Sequence, residues 1–324
     1  MLRWSRCLVV LAALCCAASA SAEKDGAPWP QRQVRIVVTF PPGSANDAAA
    51  RILADALGKR WAHTVVVENR TGAEGTLGVA SFVAAHDDHT LLYSVAGAVT
   101  VAPLLIDKLP YDPERDLVPI VATASIILTV SVHQGIPAKT LDDLVQVLRA
   151  APGRYAWSSG PTLPRYAFEA FLKRNGLSMN YVAYRDAAQP QADLGEGRIQ
   201  LLFTSLQASH SPVQLGKARF LAVANSSRAS AIPDVPTVRE AGHSELSIDG
   251  LSGLFGWRGM PDGLRQRIAA DVSAVMNEPD IRRRVEATGQ LVIGGTPEQF
   301  EAGIAQQHAF ITEVAKLIEL KVAK

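Results

Sequence analysis

Asn46 and Asp47 follow Pro41-Pro42-Gly43-Ser44-Ala45, where an apolar run gives way to a helical pattern. Small and polar residues at such a junction suit one chemical task. The first N–H groups of a helix have no intrahelical partner, and the helix dipole favours an anion beside them. Further junctions share this make-up: Arg70-Thr71-Gly72-Ala73-Glu74-Gly75, Ala96-Gly97-Ala98-Val99-Thr100 and Ser158-Ser159-Gly160-Pro161-Thr162. Each is expected at the carboxyl end of a parallel strand, where open α/β sheets bind ligands. Taken singly, each reads first as a well-made helix cap. Facing one cleft together, they can hold a carboxylate without any Lys or Arg.

Residues for covalent or acid–base chemistry do not assemble. Gly250-Leu251-Ser252-Gly253 lacks the final glycine of a nucleophile elbow, because position 254 is Leu, and packing in a strand is expected instead. Gly72, Gly75 and Gly78 recur every third residue, which is not the dinucleotide fingerprint. His86-Asp87-Asp88-His89 contains metal-ligand types but falls between a helix and a strand, where such residues make turns. His63, His133, His210, His243 and His308 form no ligand spacing. No metal and no cofactor is expected. This pattern favours a binding protein; the enzymatic alternative is a secreted hydrolase or isomerase using Asp47 or His210, neither with a positioned partner.

The elements that must position these junctions follow from periodicity. "VRIVVTF" is a continuous β-branched run of the buried parallel type, ended by proline. A helix with Ala48, Ile52 and Leu53 on one side follows, then the strand "TVVVENR", the helix "GTLGVASFVAAH" and the strand "HTLLYSV". Strand, helix, strand, helix, strand is a doubly wound α/β unit. Val121–Val132 breaks the rhythm with one long β-rich run. Thr140 caps the helix "LDDLVQVLRA", whose first turn holds Asp142 and Asp143. "RYAWSSG", "MNYVAY", "IQLLFTS" and "FLAVANS" are further strands, and Gly176 caps the helix "PRYAFEAFLKRNG". The β-rich "LSGLFGWRGMP" and three terminal helices close the chain, and these helices are expected to return to the first lobe. The expected organisation is a signal peptide over 1–22, a discontinuous first lobe over 23–123 and 249–324, and a second lobe over 124–248. Crossings near Val121–Val132 and Ile248–Trp257 make a hinge.

Length and charge bound the rest. Arg3 and Arg6, the apolar run from Cys7 to Ala18 and the ending Ser19-Ala20-Ser21-Ala22 are the parts of a secretory signal peptide. Cleavage after Ala22 leaves 302 residues, more than one core usually holds. Cys7, Cys15 and Cys16, the only cysteines, all fall within the signal, so the exported chain has no thiol for a disulfide, a metal or a nucleophile. Leu14 and Cys15 before Cys16 argue against a lipoprotein anchor. Removing Arg3 and Arg6 leaves 30 basic against 31 acidic residues, too balanced for broad nucleic-acid binding.

"WPQRQVRIVVTFPPGSANDAAARILADALGKRW", "VVVENRTGAEGTLG", "TLLYSVAG", "KLPYDPERDLVPI", "LAVANSSRASAIPDVPTVREAG" and "GGTPEQF" occur in this order. They resemble the Bug-type extracytoplasmic solute receptors, the substrate-binding components of tripartite tricarboxylate transporters. The likeness covers essentially the whole exported chain. It implies a monomeric, periplasmic, two-lobed hinged receptor of the Venus flytrap type, each lobe a doubly wound sheet flanked by helices. It implies small organic acids as ligands, membrane permease subunits as partners and no enzymatic activity. A ligand-dependent partner of a sensor kinase is the alternative role.

Carried onto this sequence, the resemblance implies a site at Phe40, Pro41, Gly43, Ser44, Ala45, Asn46 and Asp47, with Asn69 and Ala98 beside it. The second lobe contributes Ser158, Ser159, Gly160, Thr162, Tyr184, Arg185, Asp186, Ala187, Ala188 and Thr204. The chain departs from the family pattern at several of these places. Ser44-Ala45 replaces glycines, which leaves the backbone less free to adopt positive φ. Glu74 adds a charge, Arg185-Asp186 replaces Lys-Gly, and Leu163-Pro164-Arg165-Tyr166 replaces a small Ser/Thr/His-rich segment.

Overall fold

The computed structural model describes residues 29–160, 163–184 and 188–320. The expected signal segment, and Thr162, Arg185, Asp186 and Ala187, lie outside them. The strands form two sheets. In the first, the order is β11 (Gln290–Val292), β4 (Leu117–Ile126), β10 (Gly250–Trp257), β3 (Thr90–Val95), β1 (Val34–Val38) and β2 (Val65–Asn69). β1 pairs in parallel with both β2 and β3, and its register sets Val38 beside Asn69 and Tyr93. The apolar run of β1, interrupted only by Arg35, now has its reason. Val34, Ile36 and Val38 face a core with the Ala45–Trp61 helix, while Val37 faces the opposite core with Val79 and Phe82 of the Thr76–Ala85 helix. A strand covered on both faces carries apolar residues on both of them.

The second sheet runs β7 (Asn180–Tyr181), β6 (Ala156–Ser159), β8 (Leu201–Ser205), β5 (Leu128–His133) and β9 (Ala218–Val223). Its core is aromatic: Trp157 and Phe203 lie 4.7 Å and 5.6 Å from the Phe168 ring. The Leu141–Ala150 helix starts in a full capping box between Thr140 and Asp143.

Three local expectations differ from the structure. Val121–Val132 is two strands, because at Ile127 the chain leaves β10 and β11 and enters the pairing of β8 and β9. The "MNYVAY" run pairs only at Asn180–Tyr181, since it lies on a sheet edge against the four-residue β6. Of the terminal helices, Asp262–Met276 and Pro279–Glu286 do pack in the first-sheet core. The closing helix, Pro297–Leu317, serves both lobes: Phe300 packs 5.1 Å from Phe255 in the first, and Ile311 and Val314 are buried in the second. With 21 residues it is roughly 31 Å long, enough to span from one core to the other.

The two crossings between lobes are tied together. Asn225, fully buried, donates from Nδ2 to Ile126 O (2.9 Å) and Asp249 Oδ1 (3.3 Å), and its Oδ1 accepts from Leu128 N (2.9 Å). One side chain therefore grips the first crossing on both sides of Ile127 and the second at Asp249.

Candidate ligand cleft

The loop after β1 is held by its own side chains. Ser44 caps the Ala45–Trp61 helix by accepting from Asp47 N (3.2 Å). The Asp47 carboxylate turns back into the helix mouth, where N–H groups are in surplus, and accepts from Gly43 N (2.9 Å) and Arg51 Nε (3.0 Å) through Oδ2. Its Oδ1 accepts from Asn69 Nδ2 (2.7 Å). Asn69 also donates to Phe40 O (3.0 Å) and accepts from Arg51 Nη2 (2.9 Å). Burial pushes the Asp47 carboxyl up, but the hydrogen bonds from Arg51, Asn69 and Gly43 and the charge of Arg51 outweigh it and hold the pKa below its ordinary value. Asn46 accepts from Ser252 Oγ (2.9 Å), which fixes the buried Ser252 as a structural group.

A cavity of about 520 Å³ opens where the carboxyl ends of β1, β2 and β3 meet the second lobe. The first lobe lines it with Thr39, Phe40 and Pro41 after β1, Thr71, Gly72 and Gly75 after β2, and Val95, Gly97 and Val101 at the end of β3. The second lobe gives Leu128, Gly160, Leu163, Pro164, Thr204 and Ser205. Ile126, Gly250, Leu251 and Gln307 close it at the crossings. A second cavity of about 370 Å³ shares Leu251 and Gln307, so these two side chains form the partition. No charged side chain lines the cleft among the described residues.

Glycine is required where this assembly is tightest. A Cβ at Gly78 would stand 2.4 Å from Arg70 O and 2.9 Å from Thr39 Cγ2, so only glycine lets the Thr76–Ala85 helix approach the loops. At Gly160 a Cβ would make only ordinary contacts, 3.4 Å from Thr204 Oγ1 and 3.7 Å from Pro164.

Of the residues expected at the site, Phe40, Pro41, Gly160 and Thr204 line this cavity. Gly43, Ser44, Ala45, Asn46, Asp47 and Asn69 do not; they build and brace the loop behind it. Ala98 is buried and its carbonyl accepts from Tyr111 Oη (2.7 Å). Ser158 is buried in β6, and Ser159 Oγ has no partner among the described residues. Tyr184 donates to Asp193 Oδ2 (2.6 Å), and burial together with that carboxylate pushes its phenol up to about 12. Ala188 precedes the Gln189–Gly195 helix as its N-cap. The apolar walls, Val95, Val101, Leu128, Leu163 and Leu251, escaped sequence reasoning because an apolar residue facing a cleft reads like one facing a core. Leu163-Pro164, shortly after Ser159-Gly160 in the sequence, is the available signal.

The metal-ligand types at the β3 entrance are committed elsewhere. Asp87, Asp88 and His89 bring ligand atoms within 4.8 Å of one another. Yet Asp87 accepts from Thr90 Oγ1 (2.6 Å) and Arg32 Nη2 (2.5 Å), and His89 bonds Asp88 Oδ1 (2.7 Å) and Gln31 N (3.0 Å). The group is a turn that ties down the segment before β1. His210 is exposed on the Leu206–Gln214 helix, and Asp47 is fully bonded, so neither forms an acid–base pair.

The protein BugT of Bordetella pertussis is 27% identical over 307 residues, 94% of each chain. The UPF0065 protein in the tcbD-tcbE intergenic region of Pseudomonas sp. strain P51 is 29% identical and covers 83% of this chain and 81% of its own. Among solved structures, R. palustris Rpa4515 with adipate is 26% identical with a TM-score of 0.76, over 91% of this chain and 99% of that one. The family model of the tripartite tricarboxylate transporter receptors matches residues 49–319. Family and fold are those of solute-binding receptors, not of enzymes, and the chain belongs to the tripartite tricarboxylate transporter receptor family.

Proposed function

We propose that the chain captures a small organic acid in the cleft between its lobes and hands it to the membrane permease subunits of a tripartite tricarboxylate-type transporter. It does so as a monomer in the periplasm, after cleavage near Ala22. The observation that carries this reading is the roughly 520 Å³ cavity at the carboxyl ends of parallel strands, the ordinary ligand position of α/β sheets. Its polar lining is hydroxyl and amide, from Thr39, Thr71, Thr204, Ser205 and Gln307, which suits binding and offers no general base. The adipate in Rpa4515 supports an acid as the ligand.

Binding without turnover is the test. A carboxylate that fits raises stability by roughly 2.7 kcal/mol at a hundredfold excess over its Kd. A thermal-shift screen of carboxylates, with product analysis of each hit, is expected to give stabilisation and no product. Mass spectrometry of the molecule released on denaturation should identify an organic acid. No stabilising acid, or product formed from one, removes the proposal.

A further inference from the structure

We propose that this cleft selects acids whose body is apolar and free of hydroxyl groups. The inference rests on the receptor reading above and sharpens it to a ligand class. Phe40, Pro41 and Val101 wall the cavity from one lobe, and Leu128, Leu163 and Pro164 wall it from the other. Val101, Leu128 and Leu163 are 3%, 5% and 7% exposed and belong to the second-lobe core on their far side, so these walls are fixed by packing.

The polar side chains in the lining are largely spent. Thr39 Oγ1 bonds Ser94 Oγ (3.1 Å), and Ser205 Oγ accepts from Ala208 N (3.4 Å). Gln307 Oε1 accepts from Thr100 Oγ1 (2.9 Å), and its Nε2 donates to Asp249 O (3.3 Å). Only the Thr71 and Thr204 hydroxyls have no partner among the described residues, one on each lobe. Two side-chain hydroxyls leave little for a row of ligand hydroxyls. A hydroxyl taken from water into such a wall without a partner weakens binding about tenfold.

Calorimetric titration of matched acids tests this. Hexanoate against gluconate, and adipate against galactarate, keep chain length and charge and change only the hydroxyls. The expected result is that the unhydroxylated member binds at least about tenfold more tightly in each pair that binds. Equal or tighter binding of gluconate or galactarate overturns the ligand class and leaves the receptor reading standing. No binding by any of these acids or by benzoate overturns both. Leu163→Ser should narrow the hexanoate-to-gluconate ratio. Because Leu163 also belongs to the core, Pro164→Ser at a half-buried position gives the same readout with the core intact. A ratio unchanged in the folded variants shows that the wall does not set the preference.

Discussion

The loop after β1 and the loop after β6 approach the same cleft from opposite lobes, and they are built on different terms. The first is saturated: Asp47, Asn69 and Arg51 bond one another and the Gly43 and Phe40 backbone. The second is tied by Gly160 N to Phe203 O (3.1 Å) and carries, in Ser159 Oγ, a buried hydroxyl with no partner among the described residues. One lobe presents a braced edge, and the other presents the apolar side chains of Leu163 and Pro164.

The comparison can be broken most sharply at Asp47. Asp47→Ala leaves the Gly43 N–H without its acceptor, the Asn69 amide with only Phe40 O, and Arg51 without its counter-charge. A loss of about 2–3 kcal/mol is expected, the upper part of the range for hydrogen bonds to a charged group because Arg51 itself is half exposed, read by urea denaturation at pH 7. The pH dependence has a definite sign. A carboxyl held below its ordinary 3.8 contributes its full stability above that value and loses it as pH falls through the folded pKa. The gap between the native chain and Asp47→Ala should therefore narrow below pH 3.8; a gap that stays constant there removes the ionised brace.

Gly78→Ala should cost about 1–3 kcal/mol by overpacking against Arg70 O, and should weaken ligand binding as well, because the same methyl presses on Thr39. Unchanged melting would show that the helix and loops have slack. Arg185→Ala probes the second lobe. On the sequence alone, an Arg after the "NYVAY" strand can fork onto a distal carboxylate, so adipate should lose about 1.5–3 kcal/mol of affinity and hexanoate almost nothing. Equal losses for both acids, or none, take Arg185 out of the site. The smallest effect belongs to Ser159→Ala. Removing a hydroxyl that has no partner should change stability by less than about 0.5 kcal/mol, in contrast to Asp47→Ala. A large loss would reveal a partner and erase the difference between the loops.

Much of the fold was legible because it is written locally. The β1 run, the Thr140 N-cap and the Gly176 cap each depend on residues a few positions apart. The break at Ile127, the two-residue β7 and the bridging closing helix depend on which distant strand or core each segment meets. The cleft divides the same way. The prolines and glycine of the first loop announced a junction, but whether Asp47 faced a ligand or Asn69 depended on β1 pairing with β2. The walls were invisible for a chemical reason: Leu128 and Leu163 are core residues on one side and cleft residues on the other.

The closing helix has a consequence for how the two lobes can move. Phe300 is buried in one core, and Ile311 and Val314 are buried in the other. A single helix seated in both cores ties them mechanically, so any displacement of one lobe along that helix is felt in the packing of the other.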